Sequence, residues 1–389
     1  MKKKLIRNTV AKFEKEFGAP PENLFLAPGR INIIGEHVDY NNGFVLPAAI
    51  NKYICFAVSE SHSNQCSIIA IDLNEKFTFS LDNPINPATI MWPNYMLGVL
   101  AQFIEKQMPV KGFNLAFSST IPMGAGLSSS AAVECGFGYA MNKMFSLGLT
   151  NAEIAVTGQK AEHTFAGVNC GIMDQFASVF GKKNKVIKLD CDTLEHEYHN
   201  ADFRNYALLL LDSKVKHTHL TSGYNDRRRE TERGLSIVKE HCPYVNNFRD
   251  CTEVQLLELR EKLGEVSFRR CHFVVKEIQR VLDAVDALDN SDFLRLGRLM
   301  TETHHGLSKE YEVSCAEIDF LVETALKEKS VLGARMMGGG FGGCAICLVE
   351  KDKVDHIIET VSSAYSDNFG IALEPYKIKI SKGTSVHKM

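Results

Sequence analysis

Apolar and polar positions alternate from Gly112 to Thr120 (GFNLAFSST), the period of a half-buried strand, and the alternation stops at Pro122, which has no backbone N–H to extend a ladder. From Ala131 to Phe145 (AAVECGFGYAMNKMF) the chain is too long and too apolar for a strand, and the pattern predicts a buried helix. A first amphipathic helix spans about Arg7 to Phe17 and ends at Gly18 and the Pro20-Pro21 break. Strand patterns follow between residues 44 and 81 (FVLPAAI, YICFAVSES, CSIIAIDL, FTFSL), then a helix from Trp92 to Phe103 and another over Ala152 to Phe165. The polar stretch Asn200 to Arg204 precedes a fresh buried strand, Tyr206 to Asp212 (YALLLLD), which predicts two domains, 1–205 and 206–389. Helical patterns continue to residue 328. They give way to a strand at Cys344 to Val349, a helix at Val354 to Phe369 and a strand at Glu374 to Ile380. Strands with intervening helices in both halves predict an α+β protein, with the site in the cleft between the halves.

The stretch between the predicted strand and the buried helix, Pro122-Met123-Gly124-Ala125-Gly126-Leu127-Ser128-Ser129-Ser130, carries the first candidate chemistry. A glycine-serine loop opening a helix leaves the first helical amides unpaired, and those amides with the helix dipole attract an anion. Gly124 and Gly126 let backbone approach a phosphate, while Ser128, Ser129 and Ser130 offer hydroxyls to phosphate oxygens or Mg²⁺. The plainer alternative is a serine-capped helix after a loop. No GxxxxGK[ST] occurs, GxGxxG is broken at Ser129, and the HRD and DFG elements of protein kinases are absent.

Near the amino end, strand-like residues Leu24 to Ala27 yield to a polar loop with Arg30, Glu36, His37 and Asp39, a pattern suited to lining a pocket. Carboxylates accept hydrogen bonds from sugar hydroxyls and a histidine does either, so one loop can read several adjacent hydroxyls; a salt-bridged turn is the alternative. Trp92 and Tyr95 could stack an adenine or simply belong to the core. Asp174, between Met173 and Phe176, is either a helix cap or a positioned base. The arginines of YNDRRRETER (224–233) read as a solvated helix face balanced by Glu230 and Glu232, and neighbouring His304 and His305 point in different directions on a helix, against a shared metal. Five glycines within residues 338–343 lead into a strand rather than a helix, so they mark a hairpin or a close approach to the ligand of the first loop.

Composition changes this picture little. With 389 residues, 45% hydrophobic, 23% charged and a net charge of -3, the chain is an ordinary globular one without the basic surplus of a nucleic-acid binder. Its eleven cysteines show no disulfide framework, and the Cys344/Cys347 pair on a strand would point to opposite faces. The basic start lacks a signal-peptide apolar core and no run reaches the ~18 apolar residues of a membrane span, so a cytoplasmic location without membrane association is expected.

Taken together, PGRINIIGEHVDYNNGFVLP, PMGAGLSSSAA and GARMMGGGFGG resemble, in order and separation, the three motifs of the GHMP small-molecule kinases. The first, and AEHTFAGVNCGIMDQF after it, are similar to the galactose-phosphorylating branch of that superfamily. The resemblance implies an S5-like N-terminal domain and a ferredoxin-like C-terminal one. It implies transfer of the ATP γ-phosphate to the anomeric hydroxyl of galactose, in galactose catabolism by the Leloir pathway. Carried over by position, Glu36, His37, Val38, Asp39, Gly171 and Tyr224 would contact the sugar, and Asp174 would be the base with Arg30 as its partner. Gly124, Ala125, Gly126, Leu127, Ser128, Ser129 and Ser130 would wrap the phosphates of ATP, Trp92 and Tyr95 would flank the adenine, and Ser130 with Glu162 would face Mg²⁺. Val38 and Met337 stand where threonine is usual. No obligate protein partner is implied. An N-acetylgalactosamine or other sugar kinase, and a non-catalytic sugar sensor, are the alternatives.

Overall fold

The computed structural model describes residues 2–216 and 220–388. Its first layer is a six-stranded sheet in the order 385–387, 23–32, 47–60, 113–119, 65–70, 75–80, antiparallel except where 65–70 runs parallel to 113–119. Helix Lys2–Phe17 begins five residues earlier than its periodicity suggests. Leu5, Thr9 and Phe13, one turn apart, form its buried stripe, and Phe13 meets Leu24, Ala57, Ile69 and Ala116 of the sheet. Helices Met91–Glu105 and Ser129–Met144 cover the other face, contributing Met96, Val99, Phe103, Phe137 and Met141 to the main core.

The second sheet is antiparallel, in the order 331–337, 342–350, 206–216, 374–377. Its central strands are unbroken in apolar residues over Leu208–Leu211 and Cys344–Val349, where both faces are buried. Leu208, Leu210, Cys344, Ile346 and Leu348 enter the core shared with the first sheet, while Leu209, Leu211, Ala345, Cys347 and Val349 enter a second core under helices Arg260–Asp289, Ala316–Leu326 and Val354–Phe369. Cys344 and Cys347 thus lie on opposite faces, as the spacing predicts.

The chain crosses between the two sheets more than once. A new sheet does begin at Tyr206, but the chain returns at its end: Ile380 bridges to Ile50, and Ser385–His387 pairs with Leu24–Leu26 as the edge strand of the first sheet. One apolar core also runs through both halves, joining Phe25 and Phe56 to Leu210, Met300 and Ile346. The cleft between the halves is therefore fixed from both sides. Among the described residues no helix is long and apolar enough to cross a membrane, and all eleven cysteines are free.

Candidate active site

The glycine-serine loop reaches its shape through left-handed backbone at Gly124 (φ 75°), Gly126 (φ 72°) and Ser128 (φ 53°). Ser128 occupies the N-cap of helix Ser129–Met144 but makes no capping hydrogen bond, which argues against the plain capped-helix reading and leaves the helix amides available to an anion. Its hydroxyl turns instead to the Asp174 carboxylate. The glycine run at 338–343 forms the hairpin its sequence allowed. It is the tip of the hairpin joining Val331–Met337 to Gly342–Glu350, and it lies on the first loop so closely that a Cβ on Gly338 would come within 3.2 Å of the Gly126 carbonyl oxygen. Together the two loops line a cleft of about 350 Å³ with Tyr95, Pro122, Ser128, Ser129, Ser130, Met337 and Phe341.

A second cavity of about 120 Å³ adjoins it, walled by Glu36, His37, Asp39, Val168, Cys170, Gly171, Met173, Tyr224 and Gly338. Arg30, Glu162, Asp174 and Gly339 line both. Asp174 makes no cap for helix Met173–Phe180. Its carboxylate is held by Arg30, whose Nε donates to Oδ1 at 2.5 Å and Nη2 to Oδ2 at 2.7 Å, while Nη1 donates to the Gly126 carbonyl at 2.5 Å. One buried guanidinium thus ties the carboxylate to the phosphate loop. Burial opposes the Arg30 charge, but Asp174 and Glu36 outweigh it and raise the pKa above its ordinary value.

The loop bearing Glu36, His37 and Asp39 folds as a tight, buried turn. Glu36 Oε1 accepts from the Arg335 guanidinium at 3.1 Å and from the Gly338 N–H at 2.9 Å. His37 adopts a left-handed conformation, and its Nδ1 lies 2.8 Å from the Tyr40 hydroxyl, which is 2.9 Å from that of Tyr311. Burial drives its pKa down to about 3, so the imidazole is neutral and can either donate or accept. Asp39 is raised to about 7 by burial and then by the Asp174 charge. Gly171 is where it is for space: a Cβ there would lie 2.1 Å from the Asp39 carboxyl carbon.

Glu162 opens a π-helical turn, Glu162–Ala166, a distortion common at functional sites. Its carboxylate meets the Ser130 hydroxyl and the Gln175 amide, the latter at 2.8 Å, and its pKa is pushed to about 7 by burial and by Asp174. A buried carboxylate beside a hydroxyl, on a cleft lined by free helix amides, suits a divalent cation that takes its remaining ligands from a bound anion and water. Among the described residues no cluster of three or more His, Cys, Asp or Glu side chains could hold an ion by itself.

Three candidate residues lie outside the cavity walls, the first being Ala125, whose methyl group is buried in the main core. Val38 does not line the smaller cavity: it is fully buried in the second apolar core. Trp92 is absent from the cleft wall; its indole N–H donates to Glu75 at 2.5 Å and its ring packs on Phe77 and Phe117. Nor are the 224–233 arginines all solvated, since Arg227 is largely buried and donates to the carbonyls of Tyr311 (2.6 Å) and Glu312 (2.9 Å). Val168, Cys170 and Met173 in the wall of the smaller cavity, and Arg335 and Gln175 behind it, lie within the quoted motifs but carried no signal of their own.

The fold and its pair of joined cavities are those of a GHMP small-molecule kinase, and family models for the GHMP kinases N terminal domain and C terminal match residues 94–182 and 284–367. A third, the galactokinase galactose-binding signature, matches residues 11–60. The chain belongs to the galactokinase family. It is 40% identical over 366 residues to the galactokinase of Actinobacillus pleuropneumoniae, covering 92% of this chain and 94% of that one. With the Clostridium acetobutylicum galactokinase it shares 38% identity over 378 residues, 96% of each chain. Among solved structures, Lactococcus lactis galactokinase complexed with galactose superposes with a TM-score of 0.93 at 33% identity, covering 97% of this chain and 99% of the other. The Methanococcus jannaschii mevalonate kinase shares the fold at a TM-score of 0.66 and 19% identity, covering 92% of this chain and 98% of its own.

Proposed function

We propose that the protein is a galactokinase, transferring the γ-phosphoryl group of ATP to the C1 hydroxyl of D-galactose to give α-D-galactose 1-phosphate and ADP. The observation that carries this reading is the junction of the two cavities at Asp174 and Arg30. A sugar in the smaller cavity and a nucleotide in the larger one would meet there.

Phosphoryl transfer asks mainly for positioning and charge neutralisation. Glu36, His37, Asp39 and Tyr224 hold the sugar with its C1 hydroxyl toward Asp174, which accepts the hydroxyl proton as the oxygen attacks phosphorus. Arg30, bonded to Asp174 along one edge, keeps the carboxylate aimed and places positive charge beside the transferring group. The backbone amides at 124–130 and the hydroxyls of Ser129 and Ser130 bind the phosphates, while the Ser128 hydroxyl stays on Asp174. Tyr95, from the cleft wall, takes the adenine side. Ser130 and Glu162 would hold Mg²⁺, which supplies charge neutralisation on the triphosphate. Free cysteines throughout and the absence of a membrane-spanning helix among the described residues support a cytoplasmic site of action.

The test is coupled ADP release with Mg²⁺ and ATP, offering galactose, glucose, N-acetylgalactosamine and mevalonate side by side. Galactose should be turned over fastest. A signal from another substrate with none from galactose would overturn the substrate assignment.

A further inference from the structure

Arg335 is a charge buried where the mechanism does not use it. It lies in the strand Val331–Met337, fully shielded from solvent, and is not part of either cavity wall. Burying a guanidinium is costly unless its donors are matched, and here they are. Nε donates to the Ile33 carbonyl at 2.8 Å, Nη1 to the Met336 carbonyl at 2.6 Å, and Nη2 to the Asn32 carbonyl at 2.6 Å. Both Nη1 and Nη2 also reach Glu36 Oε1 at 3.1 Å, and the Gly338 N–H donates to that same oxygen. Three donors converge on one carboxylate oxygen, which leaves Oε2 to a sugar hydroxyl.

The backbone of this loop already has a separate anchor. Glu277 Oε1 accepts from the Gly35 N–H at 2.9 Å, and Glu277 is itself fixed by Arg280 at 2.7 Å and Thr303 at 2.9 Å. The contacts of Arg335 with the Glu36 side chain therefore do something the backbone anchor does not: they set which way the carboxylate faces. We propose that Arg335 is a positioning residue for sugar recognition, acting through Glu36, so that the strand leading into the third glycine motif serves the sugar as well as the nucleotide. The inference rests on galactose being the sugar bound in the smaller cavity.

The test compares full-length wild type, Arg335→Lys, Glu36→Gln, the double variant and Glu277→Gln, each checked for folding by thermal melt. Arg335→Lys keeps the charge and loses the fork. It should raise the galactose KM by about tenfold or more while the ATP KM moves less than about threefold. The double variant should be no worse toward galactose than Glu36→Gln alone. In a panel of monodeoxygalactoses, the one hydroxyl whose removal no longer matters to Glu36→Gln should be the same one for Arg335→Lys. Glu277→Gln should lower the melting temperature without that change in selectivity. An unchanged galactose KM in folded Arg335→Lys, or defects that multiply in the double variant, would overturn the inference. Should Arg335→Lys not fold, nitrogen-15 arginine spectra of the wild-type enzyme decide. The slowly exchanging Nε–H signal perturbed by Glu36→Gln should shift on adding galactose and not on adding ATP, and a signal indifferent to galactose would overturn the proposal. Wild-type enzyme inert toward galactose would instead sink the substrate reading, and this inference with it.

Discussion

Replacing Gly171 with alanine adds one methyl group at the sugar cavity and nothing at the phosphate loop. The Gly171 φ is not in the left-handed region, so alanine meets no backbone penalty and the effect is purely one of space. The new Cβ would lie 2.1 Å from both Cγ and Oδ2 of Asp39 and 2.7 Å from its Cβ. Non-bonded carbons settle near ~3.5 Å, so the carboxylate or the 168–171 segment must move by about 1.4 Å. Asp39 is buried in a tight turn and lines the smaller cavity, so displacing it disturbs the carboxylate proposed to hold the sugar. Loss of a charge-assisted hydrogen bond costs about 1.5–3 kcal/mol, so kcat/KM for galactose should fall roughly 10- to 150-fold. Steady-state kinetics with varied galactose and ATP should show the loss on the galactose side, with the ATP KM within about twofold. Adding Asp39→Asn to Gly171→Ala should cost little more, because both changes act on the same contact. A Gly171→Ala enzyme with wild-type galactose kinetics would refute the claim that this glycine exists to seat Asp39.

Asp174→Ala should lower kcat by about 10² or more while galactose binding by calorimetry stays near wild type; undiminished turnover would discard the base assignment. Asp39, raised to about 7 in the empty site, should ionise when a sugar hydroxyl donates to it, so galactose binding near pH 7 should release about half a proton, approaching none above about pH 9. Calorimetry in buffers of different ionisation enthalpy reads this directly, and proton uptake would contradict it. The same shift, upward from 3.8, means the unliganded fold is favoured by this group at low pH and loses that contribution as pH rises through about 7; Asp39→Asn should flatten the slope in thermal melts. Tyr95→Ala should raise the ATP KM roughly 2- to 10-fold, whereas Trp92→Phe, outside the cleft wall, should leave it within about twofold.

What was legible in the chain was what local physics writes locally. Pro122, two glycines and three serines ahead of an apolar helix declare a turn with open amides, and the loop has that form. Unbroken apolar runs at Leu208–Leu211 and Cys344–Val349 announce strands buried on both faces, as they are. Whether Asp174 caps its helix could not be read from its neighbours, because the group that holds its carboxylate is Arg30, 144 residues away. Val38 shares a loop with Glu36 and Asp39, yet its side chain enters the core, a matter of turn geometry rather than composition. Arg335 sits among Ala334, Met336 and Met337, and its partners on the first loop become visible only once the two sheets are packed. The return of Ser385–His387 to the first sheet is likewise a long-range pairing without a local mark.

The central claim is that one site brings the C1 hydroxyl of galactose to the terminal phosphorus of ATP, and identification of the product tests it most directly. Enzyme, MgATP and galactose should yield ADP and a phosphosugar in equal amounts, with phosphorus-31 spectra showing coupling to the anomeric proton of an α-galactoside. Phosphorus coupled to the C6 protons, or ADP formed with free phosphate and no phosphosugar, would contradict the account.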